Sequence, residues 1–287
     1  MSQHKEQQGF VTFAQNTDAI NYLELAYLQA LNVKATQKNN RYAVIVDAAT
    51  KELINDAHRN TFDYIIDLPH DYNDPTNTRK FANEWQVFRL TPFKETIKLE
   101  SDLLFTRSID HWWRAFRLRN ICLSTGAKTY KGINSTVRKY RELFDENNLP
   151  DVYNGLMYFR FSREAAQFFE VAEHIQTNWE LVKAGLKKCT EEKPSTDVLY
   201  ALAALMVGEE TCTMPSMDFI NFVHMKSGIQ GWSDLHSWLE TVVDERDGDI
   251  IRINNLNQYD PVHYYDKNYA TEELIKYYES RRKSILG

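Results

Sequence analysis

The chain has 287 residues, 43% hydrophobic and 26% charged, which is typical of a soluble protein with one large domain or two small ones. No apolar run is long enough to cross a bilayer, and the polar N-terminus lacks the apolar core of a signal peptide. The three widely spaced cysteines argue against a disulfide framework or a zinc site and favour a cytoplasmic location. The formal net charge of −6 argues against a nucleic-acid partner for the chain as a whole.

Apolar, β-prone segments alternate with helix-like segments in the first third of the chain, which predicts an α/β fold with a parallel sheet covered on both faces. We expect a flexible N-terminus over residues 1–9, a main domain over 10–240 and a C-terminal extension over 241–287 that ends in a helix. The predicted strands are Phe10–Ala14, Tyr42–Asp47 and Phe62–Asp67, and the predicted helices lie near Leu23–Leu31, Thr50–His58 and Phe81–Leu90.

The next strand, which begins near Thr96, runs into two carboxylates one residue apart. In an extended segment, Glu100 and Asp102 would project to the same side. Paired carboxylates repel each other unless a cation lies between them, and Mg²⁺ or Mn²⁺ is the usual cation beside substrate phosphates. The pair therefore indicates metal-assisted handling of a nucleotide at a sheet edge, although two exposed strand-end charges would give the same pattern.

Three later positions carry polar groups that are suited to the same site. Asn154 and Gly155 open an apolar strand, where glycine allows close backbone approach, although Asn-Gly is also a common turn. Asp197 lies in the first turn of a predicted helix, where the helix dipole alone would explain it. His224 follows a predicted strand and precedes a glycine-bearing loop, so it is either a metal ligand or a structural histidine.

A basic, aromatic stretch runs from Arg107 to Arg141, with nine lysines and arginines against the single acid Asp110. Basic groups can follow a phosphate backbone, and aromatic rings can stack on bases. The alternative is a solvated basic face with the two adjacent tryptophans in the core behind it. The candidate DNA-binding residues are Arg114, Arg117, Lys128, Lys131, Arg138, Lys139 and Arg141.

Five features occur in one order: the Phe10–Phe13 strand with Asn-Thr-Asp after it, a carboxylate-x-Asp at a strand end, an Asn-Gly strand, an Asp at a helix start, and His-x-x-x-Gly-x-x-x-Trp from His224 to Trp232. This order resembles the glycogenin-type, family-8 glycosyltransferases, which have the GT-A fold, a Rossmann-like nucleotide-sugar-binding fold. The chain departs from the family pattern in having Glu100 in place of Asp, and in the spacing and composition of the closing motif. The stretch Lys98–Phe105, together with Ile109-Asp-His-Trp-Trp, also resembles the DNA glycosyltransferases of T-even-type bacteriophages.

The resemblance implies transfer of a sugar, such as glucose or a pentose like arabinose, from a UDP-sugar to a hydroxyl group with retention of configuration. The narrower match implies hydroxymethylcytosine in phage DNA as the acceptor. Mn²⁺ or Mg²⁺ would be bound by Glu100, Asp102 and His224, and Asn154 and Asp197 would face the sugar as catalytic residues. The donor-binding residues implied are Ala14, Gln15, Asn16, Lys94, Glu100, Lys226, Gly228 and Gln230.

Other function classes remain open from the sequence. The acceptor could be a carbohydrate or a protein. A metal-dependent nuclease or nucleotidyltransferase would also use paired carboxylates and a basic surface, but would need no sugar donor. A non-catalytic DNA-binding protein would leave the carboxylates and His224 without a role.

Overall fold

The structure is a computed structural model that describes residues 6–73, 80, 82–125, 127–135, 141–214, 221–225, 244–247, 250–264 and 266–286. The strands are, in chain order, β1 (Glu6–Ala14), β2 (Tyr42–Val46), β3 (Tyr64–Asp67), β4 (Phe93–Leu99), β5 (Leu103–Leu104), β6 (Ile121–Thr125), β7 (Ala127–Lys128), β8 (Asn134–Ser135), β9 (Val152–Arg160), β10 (Val223–His224), β11 (Asp244–Asp247), β12 (Ile250–Ile253), β13 (Leu256–Gln258) and β14 (Val262–His263).

The helices are α1 (Tyr22–Thr36), α2 (Ala48–Lys51), α3 (Asp56–Thr61), α4 (Val87–Leu90), α5 (Trp112–Phe116), α6 (Glu142–Asn147), α7 (Arg163–Thr177), α8 (Trp179–Lys183), α9 (Thr196–Val207), α10 (Glu209–Cys212) and α11 (Glu272–Leu286). Short 3₁₀ turns cover Glu84–Gln86 and Lys267–Tyr269. Within the described ranges, no helix combines the length and the apolar character that crossing a bilayer requires.

The central sheet has six strands in the order β3-β2-β1-β4-β9-β6. β3, β2, β1 and β4 are parallel to one another, and β9 runs antiparallel to both β4 and β6. Every residue of β2 is buried, because a parallel sheet with helices on both faces exposes neither face. This arrangement confirms the predicted α/β class with a mostly parallel sheet.

Two apolar clusters fill the two faces of this sheet. One includes residues of α1 and α11, and the other includes residues of α7 and α9. α11 is tied to α1 by hydrogen bonds, since Tyr27 Oη donates to Glu279 at 2.7 Å and Asn32 Nδ2 donates to Tyr278 Oη at 3.0 Å. The C-terminal helix therefore belongs to the main core.

Element boundaries differ from the predictions at three places. β1 begins at Glu6, so residues 6–9, which we expected to be flexible, lie in the sheet. The sequence predicts one long helix over Glu164–Leu186, whereas the structure divides it into α7 and α8 at Asn178, whose side chain donates to the carbonyl of His174. The predicted C-terminal extension contributes β14, which lies between β5 and β10 in a second sheet of order β5-β14-β10-β7-β8.

Candidate metal and donor site

The predicted carboxylate pair lies in the turn between β4 and β5, at the carboxyl edge of the central sheet. Gln29, a fully buried residue of α1, stabilises this turn by donating to the carbonyls of Glu100 at 2.6 Å and Leu103 at 2.7 Å. Because β4 ends at Leu99, the two carboxylates are presented by a turn and not by the extended strand that the sequence predicted. Ligands of open α/β sheets bind at this edge.

His263 completes a three-residue group with the two carboxylates. Its Nε2 lies 2.9 Å from Asp102 Oδ2 and 3.2 Å from Glu100 Oε2. The ladder between β14 and β5 holds the histidine there, since His263 is paired with Leu103. One candidate ligand atom from each residue lies within 4.8 Å of those of the other two, close enough to surround a metal ion.

Lys267 is a second cationic partner of Asp102, because its Nζ contacts the same Oδ2 atom. Burial opposes ionisation of Asp102, but the positive charges of His263 and Lys267 outweigh it and hold the pKa of Asp102 well below its usual value. Burial lowers the pKa of His263, yet the charges of Asp102 and Glu100 reverse this and raise it. Asp102 is therefore ionised, as a carboxylate metal ligand must be.

Asn154 connects Glu100 to a buried ion pair. Its Nδ2 donates to Glu84 Oε2 at 2.6 Å and to Glu100 Oε1 at 2.9 Å, while its Oδ1 accepts from Lys98 Nζ at 2.6 Å. Lys98, which is 1% exposed, also contacts Glu84. Both ends of the Asn154 amide are thus engaged by protein groups, an arrangement that orients Glu100.

Asp197 lies next to Asn154 and is held by two donors. Its Oδ1 accepts the backbone N–H of Asn154 at 2.7 Å, and its Oδ2 accepts from Arg141 Nη2 at 2.9 Å. The Arg141 guanidinium lies between the rings of Phe144 and Tyr153, 4.0 Å from each ring centroid. The structure therefore brings together Glu100, Asp102, Asn154 and Asp197 as a connected polar network.

His224, the predicted metal ligand, lies beside this group. It is the register partner of His263 in the parallel β10–β14 pair, and the two ring centroids are 4.6 Å apart. Among the described residues, the group of potential ligands contains His263 and does not include His224. The predicted donor-binding residues Lys226, Gly228 and Gln230 lie outside the described residues.

The other predicted donor residues follow β1, whose carboxyl end lies at the same sheet edge. Ala14 is the last residue of β1, and Gln15 after it is buried. The Gln15 amide donates to Asp47 at 3.3 Å and Asp71 at 3.4 Å and accepts from Asn83 at 3.0 Å. These side chains form a polar cluster where the parallel strands end.

Asn16 and Lys94 have different surroundings. Asn16 Oδ1 accepts the backbone N–H of Leu23 at 2.9 Å, so this side chain helps to start α1, whose cap is Asn21. Lys94 is exposed near the beginning of β4. Lys94 is six positions before Glu100, which is about 20 Å at the usual rise per residue of a strand, so Lys94 lies at the opposite end of the sheet.

The described residues of the basic stretch do not form one surface. Arg117 pairs with Glu95 near the beginning of β4, away from the carboxylates, and Lys128 pairs with Asp260. Arg141 is 1% exposed. Both adjacent tryptophans of this stretch, Trp112 and Trp113, are buried, which agrees with the core interpretation of these rings. Arg114 and Lys131 are exposed, and Arg138 and Lys139 lie outside the described residues.

Four residues of the site were not predicted from the sequence: His263, Lys267, Glu84 and Lys98. His263 and Lys267 lie in the predicted C-terminal extension, and the β5–β14 pairing brings this segment to the carboxylates. The available signal was a short β-prone Val-His pair followed by a lysine. Lys98 carried a signal as well, because a lysine within an apolar strand needs a buried partner.

No family model matches the chain, and no curated protein matches it in sequence. Among solved structures, it is similar to the galactosyltransferase LgtC in complex with donor and acceptor sugar analogues, at 12% identity and a TM-score of 0.53, covering 96% of this chain and 95% of that one. An active-site mutant of LgtC aligns at 13% identity and a TM-score of 0.54 with the same coverage. Mouse xyloside xylosyltransferase 1 in its apo form aligns at 11% identity and a TM-score of 0.45, covering 72% of this chain and 84% of that one. At these identities the likeness concerns the fold, and the chain has the GT-A fold.

Proposed function

We propose that the chain is a metal-dependent glycosyltransferase that takes a sugar from a nucleotide-sugar donor. The observation that carries this proposal is the convergence of two carboxylates and an imidazole at the carboxyl edge of a GT-A sheet. Their oxygen and nitrogen atoms suit a divalent ion, with Mn²⁺ favoured over Mg²⁺ because Mg²⁺ usually prefers oxygen ligands alone. When bound, the ion would supply Lewis-acid stabilisation of the diphosphate leaving group.

The residues of the chain would bind and orient the donor. Gln15, with the polar side chains around it, would border the nucleoside, and the Lys267 ammonium is near enough to the carboxylates to meet a diphosphate. Asn154 would act through Glu100, because its amide is occupied by protein groups. Asp197 would face the sugar. Each of its carboxylate oxygens accepts one hydrogen bond from the protein and keeps a lone pair that could accept another from a sugar hydroxyl.

The donor class is tested by measuring nucleotide release. The protein is incubated with a panel of nucleotide-sugars, UDP-glucose and a UDP-pentose among them, with Mn²⁺ or with EDTA. We expect release of UDP with Mn²⁺, its loss in EDTA, and at least about a hundredfold loss in Asp102→Asn, which removes a ligand charge. Undiminished release in EDTA or in Asp102→Asn would contradict metal dependence.

Turnover of nucleic acid or NTP without any nucleotide-sugar would favour the nuclease or nucleotidyltransferase class. We propose that the transfer retains the anomeric configuration, which NMR of the product tests.

We propose DNA bearing hydroxymethylcytosine as the acceptor, supported by exposed basic residues of the Arg107–Arg141 stretch. Arg114 and Lys131 are exposed, whereas Arg117, Lys128 and Arg141 are paired with carboxylates. Binding to duplex DNA should weaken with salt at a slope of about −0.9 per phosphate contacted. Charge reversal at Arg114 and Lys131 should raise the KM for DNA and leave donor hydrolysis unchanged. Equal DNA transfer by wild type and this variant, or transfer to carbohydrate or protein alone, would contradict the DNA acceptor and retain the glycosyltransferase.

A further inference from the structure

Lys267 and His263 share one oxygen of Asp102. Lys267 opens the short 3₁₀ turn that follows β14, and its Nζ contacts Asp102 Oδ2, the atom that also lies 2.9 Å from His263 Nε2. The Asp102 side chain is only 5% exposed, so its charge is compensated by these protein groups more than by water. The Lys267 ammonium is thus paired with the Asp102 carboxylate, which a divalent ion would need as a ligand.

The two neighbours of Asp102 would respond differently to an incoming ion. His263 has a ring nitrogen that can coordinate an ion, and its backbone is fixed by the strand ladder and by a hydrogen bond from the Met225 N–H to its carbonyl at 3.0 Å. An ammonium group has three donors and no lone pair, so Lys267 cannot become a ligand. Its positive charge would instead repel the ion.

We propose that Lys267 is an internal cation that competes with the divalent ion for Asp102 and moves to the donor's diphosphate when the ion binds. This inference rests on the proposed function for the identity of the donor. The Lys267 side chain is 25% exposed and flexible, so it can leave the carboxylate without disturbing the strands. When Lys267 moves from Asp102 to the diphosphate, its ammonium stays paired with an anion. Because the ammonium becomes available only when the ion is bound, the metal-loaded site would bind an anionic donor more tightly than the metal-free site.

Calorimetric titration of Mn²⁺ into the metal-free full chain tests the competition without any measurement of transfer. Lys267→Met should bind Mn²⁺ at least about tenfold more tightly than wild type, the lower end of the usual effect of a charge at contact distance. Lys267→Arg keeps the charge and should retain the wild-type affinity. Lys276→Met is the matched control, because it removes the same charge from a side chain that is 70% exposed, and it should leave the affinity unchanged. His263→Ala should weaken Mn²⁺ binding, in the opposite direction to Lys267→Met.

The second half of the inference is tested by equilibrium dialysis of UDP at saturating Mn²⁺. Lys267→Met should bind UDP at least about tenfold more weakly than wild type. The same substitution should therefore raise the affinity for Mn²⁺ and lower the affinity for UDP. If Lys267→Met does not fold, Lys267→Gln keeps a hydrogen-bond donor to Asp102 without the charge and serves in its place. Wild-type or weaker Mn²⁺ affinity in the variant would overturn the competition, and unchanged UDP affinity would overturn the exchange. Absence of Mn²⁺ binding by wild type and variant alike would overturn this inference together with the proposed metal dependence.

Discussion

Replacing Lys98 by methionine should destabilise the protein severely, although the change is apolar and lies within a strand. Lys98 is 1% exposed, and its ammonium contacts Glu84 and the Asn154 amide. Burial raises the pKa of Glu84, the charge of Lys98 opposes that rise, and nearby Glu100 adds to it. Without Lys98, Glu84 must either keep an unpaired buried charge or take up a proton. Both alternatives disfavour the folded state at neutral pH.

The expected magnitude follows from the kind of pair that is broken. Removing one partner of a buried ion pair lowers the free energy of unfolding by about 3–5 kcal/mol. Replacing both partners by uncharged groups often changes the free energy of unfolding little. We therefore expect Lys98→Met to lower the free energy of unfolding by about 3–5 kcal/mol, a large part of the roughly 5–15 kcal/mol of a typical domain. The double variant Glu84→Gln/Lys98→Met should recover at least about 2 kcal/mol of this loss.

Urea unfolding of the metal-free protein at pH 7, followed by circular dichroism, measures all four proteins of this double-mutant cycle. Equal slopes of the four transitions would show that the same unfolding is compared. A Lys98→Met variant within about 1 kcal/mol of wild type would refute the reasoning. A double variant whose loss equals the sum of the two single losses would also refute it, because the two side chains would then act independently.

Two further predictions concern residues outside the candidate site. Burial raises the pKa of Glu95, but hydrogen bonds from Arg117 and two glutamines lower it below its usual value. The resulting stabilisation is fully present above about pH 4.3, the pKa of glutamate in the unfolded chain. It is lost as the pH falls through the lower pKa that Glu95 has in the folded protein. Arg117→Met should therefore flatten the acid side of a stability profile measured by urea unfolding from pH 3 to pH 6, and an unchanged profile would show that the pair contributes nothing. A Cβ at Gly155 would lie 2.7 Å from the buried ring of Phe222, so Gly155→Ala should cost about 1–3 kcal/mol. Phe222→Leu in the same chain should recover part of that loss, and additive losses would contradict this packing explanation.

The sequence predicted the sheet class and the carboxylate pair because both depend on local patterns. Continuous apolar runs that alternate with helical periodicity specify parallel strands, and a strand that ends in acids places them at the ligand edge. The sequence also indicates Asn154 and Asp197 as site residues; the structure has Asn154 hydrogen-bonded to Glu100 and Asp197 hydrogen-bonded to the Asn154 backbone. Gly155 was interpreted as a close approach to a ligand, whereas the described residues include Phe222 packed against it.

Contacts between distant segments could not be predicted from one sequence. His263 lies 161 positions from Asp102, and no local pattern states that β14 will pair with β5. The number of basic residues between Arg107 and Arg141 also did not predict which of them are exposed. A lysine or arginine in a sequence gives no sign of whether it faces solvent, and Arg141 is enclosed by Phe144 and Tyr153 while its charge is used on Asp197.

The identity of the metal ligands is the central claim, and crystals soaked in Mn²⁺ and UDP would test it through anomalous scattering from manganese. We predict one strong peak coordinated by Glu100, Asp102 and His263, with ligand distances of about 2.0–2.3 Å. A matched soak of Asp102→Asn should lose the peak. A manganese ion bound elsewhere, or a peak ligated by His224 with His263 turned away, would contradict this assignment of the site.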